Sequence, residues 1–316
     1  MSTSSLARNG LKFASYAIVA VALWYFAHAL YSRMDEIPPI DWNIRSIVAA
    51  LLSVVGIVFT ILVTGYLWRA LLKDHDVSLK PRTSIWIMAI SQFGKYLPGN
   101  VGHFAGRAAL GKTVGVPISA AVNTMLVDVL WHVAIGFAFA ALALLTVSET
   151  LASHLPEELG VLEMGLITVT LLFLPWIGIT LLNRWMPALS RRLGGGNLIA
   201  TPTLKTAIVV SLLILLGMHT LGAILKMQAV WIFGVKEGGY YTLTILFITS
   251  WVIGYVMPGS PGGVGIREAM MVLLLTPVVG AGAAVGLSIS MRLTNILGDG
   301  IAFALGLFMR RLDQTS

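Results

Sequence analysis

Long apolar runs separated by short polar segments dominate this chain. Each run has about 20 residues or more, which as an α-helix is enough to cross about 30 Å of hydrocarbon. Strands that alternate apolar and polar residues, as in a membrane β-barrel, are not apparent. We therefore predict spanning helices at residues 11–31, 46–72, 118–147, 164–182, 206–233 and 281–309.

Two further segments, 83–112 and 242–280, are apolar but are interrupted near their centres. Pro98-Gly99 breaks the first segment and Pro258-Gly259 breaks the second. Proline removes a backbone donor and glycine weakens a helix, so neither segment is expected to form one straight helix. We predict that each is a hairpin, either a re-entrant loop or a pair of tilted helices.

Composition supports a membrane protein. Of 316 residues, 57% are hydrophobic and 11% are charged, whereas soluble domains have roughly 25% charged residues. The net charge of +7 would suit nucleic acid if the basic residues formed one face. They lie instead in short segments between apolar runs, so no nucleic-acid partner is expected.

The distribution of charge predicts the topology. Basic residues mark the segments around Lys73 to Arg82 and Arg184 to Lys205, and Arg310-Arg311 marks the tail. Residues 148–163 contain four glutamates and no Lys or Arg. The positive-inside rule then predicts cytoplasmic termini in a multi-pass protein of the inner (cytoplasmic) membrane, with the two hairpins opening on opposite sides. The sequence Ala27-His28-Ala29 leaves signal-peptide cleavage as an alternative for the first run.

The two hairpins share one motif. Pro98-Gly99 is followed by Gly102 and then Arg107, and the same spacing recurs from Pro258-Gly259, with an offset of 160 residues. We predict an all-α protein with about six full crossings and two re-entrant or broken hairpins in an inverted-topology repeat. The predicted divisions are an N-terminal helix and loop (1–45), a first repeat (46–147), a connecting helix with basic linker (148–205), and a second repeat with cytoplasmic tail (206–316).

Charged residues inside the bilayer are costly and are therefore candidates for function. The hairpin glycines would let the backbone approach a ligand, and the outgoing half-helices would point positive dipole ends into the membrane. The candidate substrate-binding residues are Lys95, Gly99, Gly102, Arg107, Gly259, Gly262, Gly263, Arg267 and Arg292. Candidate coupling groups are Asp128, His132, Glu268 and Asp299.

A structural role for the same residues is an open alternative. Arg267–Glu268 and Arg292–Asp299 could be buried ion pairs that only hold helices together, and Asp128–His132 could be an interhelical hydrogen bond. We find no H-E-x-x-H, P-loop or G-x-S-x-G motif, so no catalytic residue is expected. Few acidic residues and no cysteine argue against a metal site, and no cofactor is expected.

The motif residues resemble those of a known family. Gly94-Lys95-Tyr96-Leu97-Pro98-Gly99 with Gly102, and the run from Met257 to Glu268, are similar to the two signature stretches of the lysylphosphatidylglycerol synthase transmembrane family. The resemblance extends from about Ser46 to Met309 and implies a lipid-flipping membrane domain. Because the sequence stops seven residues after Met309, the family's soluble aminoacyl-transferring domain is not expected here, nor is lysyl transfer.

These observations favour a flippase for an anionic or modified phospholipid, or for a polyprenyl-linked glycolipid. Membrane lipids would then be its partners. The second hypothesis is a non-transporting scaffold for lipid-modifying or glycosyl-transferring enzymes. The third is an intramembrane transferase, for which no activated base or metal site is evident.

Overall fold

The computed structural model describes residues 20–96, 102–146, 161–257 and 261–314. Within these residues every regular element is helical. After α1 (residues 20–33) come α2 (Ile44–Lys73), α3 (Pro81–Gln92), α4 (Gly102–Thr113), α5 (Ile118–Thr146), α6 (Val161–Trp185), α7 (Pro187–Leu193), α8 (Leu204–Trp231), α9 (Tyr240–Val256), α10 (Ile266–Val279) and α11 (Ala281–Gln314).

Four of the described helices are long and apolar enough to cross a membrane: α2, α5 (as Ile118–Ala143), α8 and α11. Their surfaces carry many exposed large apolar side chains, such as Leu51, Leu212 and Phe308. Apolar residues on this scale need lipid around them. The prediction of an all-helical integral membrane protein is therefore confirmed.

Local signals set the helix starts. The Asn43 side chain accepts hydrogen bonds from the backbone N–H groups of Arg45 (2.9 Å) and Ser46 (3.2 Å), which caps α2. Pro81 begins α3, where its missing N–H costs nothing. The Thr203 side chain accepts from the backbone of Thr206 and caps α8.

Both interrupted segments form two helices that pack against each other. Helices α3 and α4 make one pair, and α9 and α10 make the other. A 3-10 turn, Phe93–Tyr96, ends the α3 arm, and a second, Pro261–Gly263, precedes α10. We call these turns tip 1 and tip 2. The motif residues Pro98, Gly99, Pro258 and Gly259 lie outside the described residues.

Helices α2 and α8 pack along each other at the centre of the bundle. Helix α3 packs on α11, and α9 packs on α5. Tip 1 also contacts tip 2. The two hairpins therefore meet at their tips rather than lying side by side, beside the α2–α8 pair.

Two contacts show which helix ends lie close to each other. The Asp74 carboxylate, just after α2, accepts from the Thr203 backbone N–H (2.9 Å) and the Thr206 hydroxyl (2.8 Å) at the start of α8. At another point the Glu36 backbone lies so close to Gly282, at the start of α11, that a β-carbon there would be 1.9 Å from the Glu36 carbonyl oxygen. The α2–α3 loop thus shares one end of the bundle with the start of α8.

Candidate functional site

A cavity of about 170 Å³ lies between α2, α8, α9, α11 and the two tips. Its lining includes apolar side chains of α2 and α8, such as Ile57 and Met218. The charged and ionisable lining residues are Lys95, His103, His132, Arg267 and Asp299, with Tyr255. A mostly apolar lining with a few convergent polar groups is the usual chemistry of a ligand site.

Tip 1 is bound to α11 by an ion pair. The Lys95 ammonium lies 2.7 Å from one oxygen of Asp299 and 2.9 Å from the other. The Tyr96 hydroxyl donates a short hydrogen bond to the same carboxylate. Asp299 is only 2% exposed, whereas Lys95 and Tyr96 are partly buried. Lys95 and Asp299 both line the cavity.

Tip 2 is built around a second carboxylate, that of Glu268. One oxygen accepts from the Gly265 backbone N–H (2.7 Å) and so caps α10. The other lies 3.3 Å from both Arg267 and Arg292. Arg292 also donates to the Gly262 carbonyl (3.2 Å). The turn requires glycine, because Gly262, Gly263 and Gly265 all have φ between 58° and 83°.

A third carboxylate, Asp128 on α5, lies behind tip 1. It contacts the Arg107 guanidinium at 2.9 Å and the His132 imidazole at 2.9 Å. His132 Nδ1 also lies 3.0 Å from the Asp128 backbone carbonyl. Arg107 and Asp128 are both buried within the protein, where they form an ion pair.

The clusters at Asp128 and Glu268 have the same composition. In each, a carboxylate contacts an arginine of the outgoing hairpin helix and a basic side chain of the following long helix. The arginines are Arg107 and Arg267, and the second basic residues are His132 and Arg292. Arg267 comes 160 residues after Arg107, and Arg292 comes 160 residues after His132. The basic residues thus share the 160-residue offset of the hairpin motif. The carboxylates do not, because Asp128 lies on the long helix α5 and Glu268 on the hairpin helix α10.

Several buried nitrogen atoms in or beside these clusters have no hydrogen-bond partner. They are Arg107 Nε, Arg267 Nε and His103 Nδ1, in side chains that are 3%, 8% and 7% exposed. An unpaired buried polar atom costs roughly 1–3 kcal/mol, so each is an opportunity for a ligand. His103 and Arg267 line the cavity.

An aromatic wall completes the cavity. Trp251 and Tyr255 of α9 stack with ring centroids 4.8 Å apart, and His132 lies 6.0 Å from the Trp251 ring. Gln92 and Asn295 add neutral polar groups. Gly217 of α8 also lines the space, and no atom lies within 4 Å of the position that its β-carbon would take.

The structure brings most predicted site residues together. Lys95, His132, Gly262, Gly263, Arg267 and Asp299 line the cavity, while Arg107, Asp128, Glu268 and Arg292 contact its lining residues or adjoin them. Gly102 begins α4, within reach of tip 1: a β-carbon on Gly94 would be 2.6 Å from the Gly102 backbone. Gly99 and Gly259 lie outside the described residues.

One suggested pairing is wrong. Asp299 pairs with Lys95, and Arg292 pairs with Glu268, so Arg292 and Asp299 do not form an ion pair. Seven residues of helix separate their backbones by about 10 Å along the axis, and each side chain has a nearer partner on another element. The suggested Arg267–Glu268 contact is present at 3.3 Å.

Sequence reasoning missed several lining residues, namely His103, Trp251, Tyr255, Asn295 and Gly217. His103 directly follows the motif glycine Gly102, which was an available signal. Indoles are common at membrane interfaces, so the sequence does not mark Trp251 as a cavity residue. Nothing in the sequence distinguishes Gly217 from other helix glycines.

The sequence was compared with known proteins. The family described as Lysylphosphatidylglycerol synthase TM region matches residues 12–301, which is most of the chain. This match confirms the resemblance that the two hairpin motifs indicated. A comparison with curated proteins gives no match.

Proposed function

We propose that this chain, which belongs to the lysylphosphatidylglycerol synthase TM-region family, moves a lipid headgroup across the membrane. The observation that carries the proposal is the cavity, which is lined both by Lys95, His103 and Arg267 and by apolar residues of α2 and α8. Carrying a charged headgroup through hydrocarbon is the main barrier to flipping. A polar cavity lowers that barrier while the tails stay in lipid.

The headgroup phosphate would bind at the tips. Helix α4 begins at Gly102 and α10 begins at Ile266, close to the cavity. Free N–H groups and the positive dipole end of a helix attract anions. Lys95 and Arg267 supply the full positive charges, and the unpartnered Arg267 Nε supplies a donor that the protein itself does not satisfy.

Alternating exposure of the cavity to the two sides of the membrane would come from an inverted repeat. The packing supports it, because the main helix contacts of the first half have counterparts in the second: α2 with α3 and α8 with α9, α3 with α4 and α9 with α10, α3 with α11 and α9 with α5. In such a repeat α2 corresponds to α8, so the contact between these two helices corresponds to itself. Rocking one half against the other would expose the cavity to either side of the membrane.

The proposed location is the inner membrane, with both termini in the cytoplasm. This follows from the basic segments and from the contact between Asp74 and Thr203, which joins two of those segments at one end of the bundle. Transport would be downhill or coupled to an ion gradient. Asp128, His132, Glu268 and Asp299 are the titratable groups available for coupling.

Translocation in proteoliposomes tests the proposal. The full chain is reconstituted with trace lipids: phosphatidylglycerol, its lysyl ester, phosphatidylcholine and a polyprenyl phosphate sugar. A membrane-impermeant reagent then measures headgroup exposure, with and without an imposed proton gradient. We expect selective movement of one class, lost in Arg267→Ala and kept in Arg191→Ala, which changes an exposed residue of α7. Full transport by Arg267→Ala would contradict the proposed role.

One observation favours the scaffold hypothesis as a second candidate. It predicts hairpin arginines that are buried in ion pairs, and Arg107–Asp128 and Arg267–Glu268 are such pairs. The hypotheses differ in their prediction for transport. A scaffold would move no lipid under either gradient condition, although the protein is folded and inserted.

A further inference from the structure

We infer that the cavity selects a headgroup with a single negative charge, from one phosphodiester, and rejects a headgroup that carries an ammonium group. This names the substrate class of the proposed translocase and therefore rests on that proposed function. The charged side chains at the cavity and the ion pairs that they already form support this selectivity.

The described charges around the cavity do not balance. Four cations, Lys95, Arg107, Arg267 and Arg292, accompany three carboxylates, Asp128, Glu268 and Asp299. One positive charge is therefore uncompensated. Protonation of His103 or His132 would add to this excess. In a medium of low dielectric constant an unbalanced cation is costly, so the site favours one bound anion.

The hairpin residues outside the described ranges do not alter this balance. Residues 97–101 are Leu, Pro, Gly, Asn and Val, and residues 258–260 are Pro, Gly and Ser. None has a charged side chain. Whatever the position of these segments, they contribute no carboxylate to the hairpin tips.

An ammonium group would find no open carboxylate among the described lining residues. Asp299 is the acidic residue that lines the cavity, and it is engaged by Lys95 and Tyr96. Glu268 is engaged by two arginines and by the Gly265 backbone N–H. A lysyl ester would thus bring its ammonium groups against Lys95 and Arg267 without a free carboxylate in the described lining to receive them.

The other polar groups of the lining suit a hydroxylated headgroup. Gln92, Asn295 and Tyr255 are neutral and line the same space. Amide and phenol groups both donate and accept hydrogen bonds, which is what glycerol or sugar hydroxyls need. Phosphatidylglycerol and polyprenyl phosphate sugars share this chemistry of one phosphodiester with neighbouring hydroxyls.

Binding of short-chain probes to the purified full chain tests the inference. The probes are dioctanoyl phosphatidylglycerol, its lysyl ester, dioctanoyl phosphatidylcholine, and glycerophosphoglycerol, which has the headgroup without tails. We expect phosphatidylglycerol to bind about tenfold or more tightly than the lysyl ester and phosphatidylcholine. The tail-less probe should bind more weakly than the lipid. Equal binding of that probe would mean a site for soluble anions and would overturn the lipid assignment.

Substitution of Asn295 tests most directly whether charge decides the lipid preference. Asn295→Asp adds a carboxylate to the cavity wall with almost no change in shape, so the preference should shift toward the lysyl ester. Asn295→Leu has a similar volume and no charge, so it should weaken the binding of both lipids without shifting the preference toward the lysyl ester. Identical behaviour of the two variants would overturn the inference, because the charge would then not decide selectivity.

The result separates this inference from the proposed function. If the lysyl ester binds and moves as well as phosphatidylglycerol, the translocase stands and the charge selection is overturned. If phosphatidylglycerol binds selectively but no lipid moves in proteoliposomes, charge selection is upheld and translocation is not. If no probe binds to folded protein, the inference is overturned.

Discussion

The ammonium of Lys95 lies 2.7 Å from the carboxylate of Asp299, although 204 residues separate them in the sequence. This contact ties tip 1 to α11 at the wall of the cavity. The Lys95 ammonium has three donors, and its contacts with the two Asp299 oxygens leave one of them for a phosphate. The ion pair thus positions Lys95 at the cavity while Asp299 stays engaged.

Removing the carboxylate should destabilise the protein markedly. In Asp299→Asn, a largely buried Lys95 loses its counter-ion, and we expect a loss of about 3 kcal/mol in the free energy of unfolding. Arg33→Gln is the control, because it removes the exposed Arg33–Glu36 pair at 3.2 Å and should cost less than about 1 kcal/mol. Denaturant unfolding in detergent measures both. Equal losses would mean that the Lys95–Asp299 pair is not held in a desolvated site.

The Arg107–Asp128 pair should behave as a coupled structural unit. Arg107→Met leaves a buried carboxylate with less compensation, and we expect a loss of about 2 kcal/mol or more. Adding Asp128→Asn should recover much of that loss, giving a coupling energy above about 1 kcal/mol in a double-mutant cycle. Unfolding measurements on the four proteins of the cycle provide the test. Additive effects would show that the 2.9 Å contact contributes little to stability.

The same cycle separates two roles for Arg107 in the proposed translocase, packing and headgroup binding. If Arg107 serves only packing, the double variant should move lipid like the wild type. If Arg107 Nε, which is buried and without a partner, receives part of the headgroup, transport should stay impaired although stability returns. Translocation by the double variant in proteoliposomes decides between these outcomes.

The chain contains no cysteine, so single cysteines report topology directly. Lys80→Cys and Asn197→Cys should label from the cytoplasmic side, since Asp74 and Thr203 hold those loops at one end of the bundle. Asp35→Cys and Lys236→Cys should label from the opposite side. Impermeant maleimide applied to intact cells and to inverted vesicles makes the distinction. Labelling of all four from one side would refute the proposed topology.

Much of the fold was predictable because apolar runs report helix length. The predicted 46–72 and 206–233 correspond to α2 at Ile44–Lys73 and α8 at Leu204–Trp231. The breaks at Pro98 and Pro258 correctly divided the interrupted segments into two helices each. Caps such as Asn43 account for the few residues of difference at the helix starts.

The partners within the site were less predictable. Arg267 and Glu268 are adjacent in the sequence and were paired correctly, but Asp299 was assigned to Arg292 on its own helix. Its actual partner, Lys95, comes from a distant hairpin, and the pairing depends on where tip 1 meets α11. Spacing along one helix cannot supply that information. The open space at Gly217 likewise results from how α2, α8 and α9 pack.

Blocking the cavity is the most direct test of the central claim, that lipid headgroups pass through it. Gly217→Trp places a large side chain in the cavity, while Gly178→Trp makes the same change at an exposed position of α6, where no atom lies within 4 Å of the added β-carbon either. Translocation of phosphatidylglycerol is measured in proteoliposomes that contain equal amounts of folded protein. We predict a loss of about tenfold or more for Gly217→Trp and near wild-type rates for Gly178→Trp. Wild-type transport by folded Gly217→Trp would contradict the account.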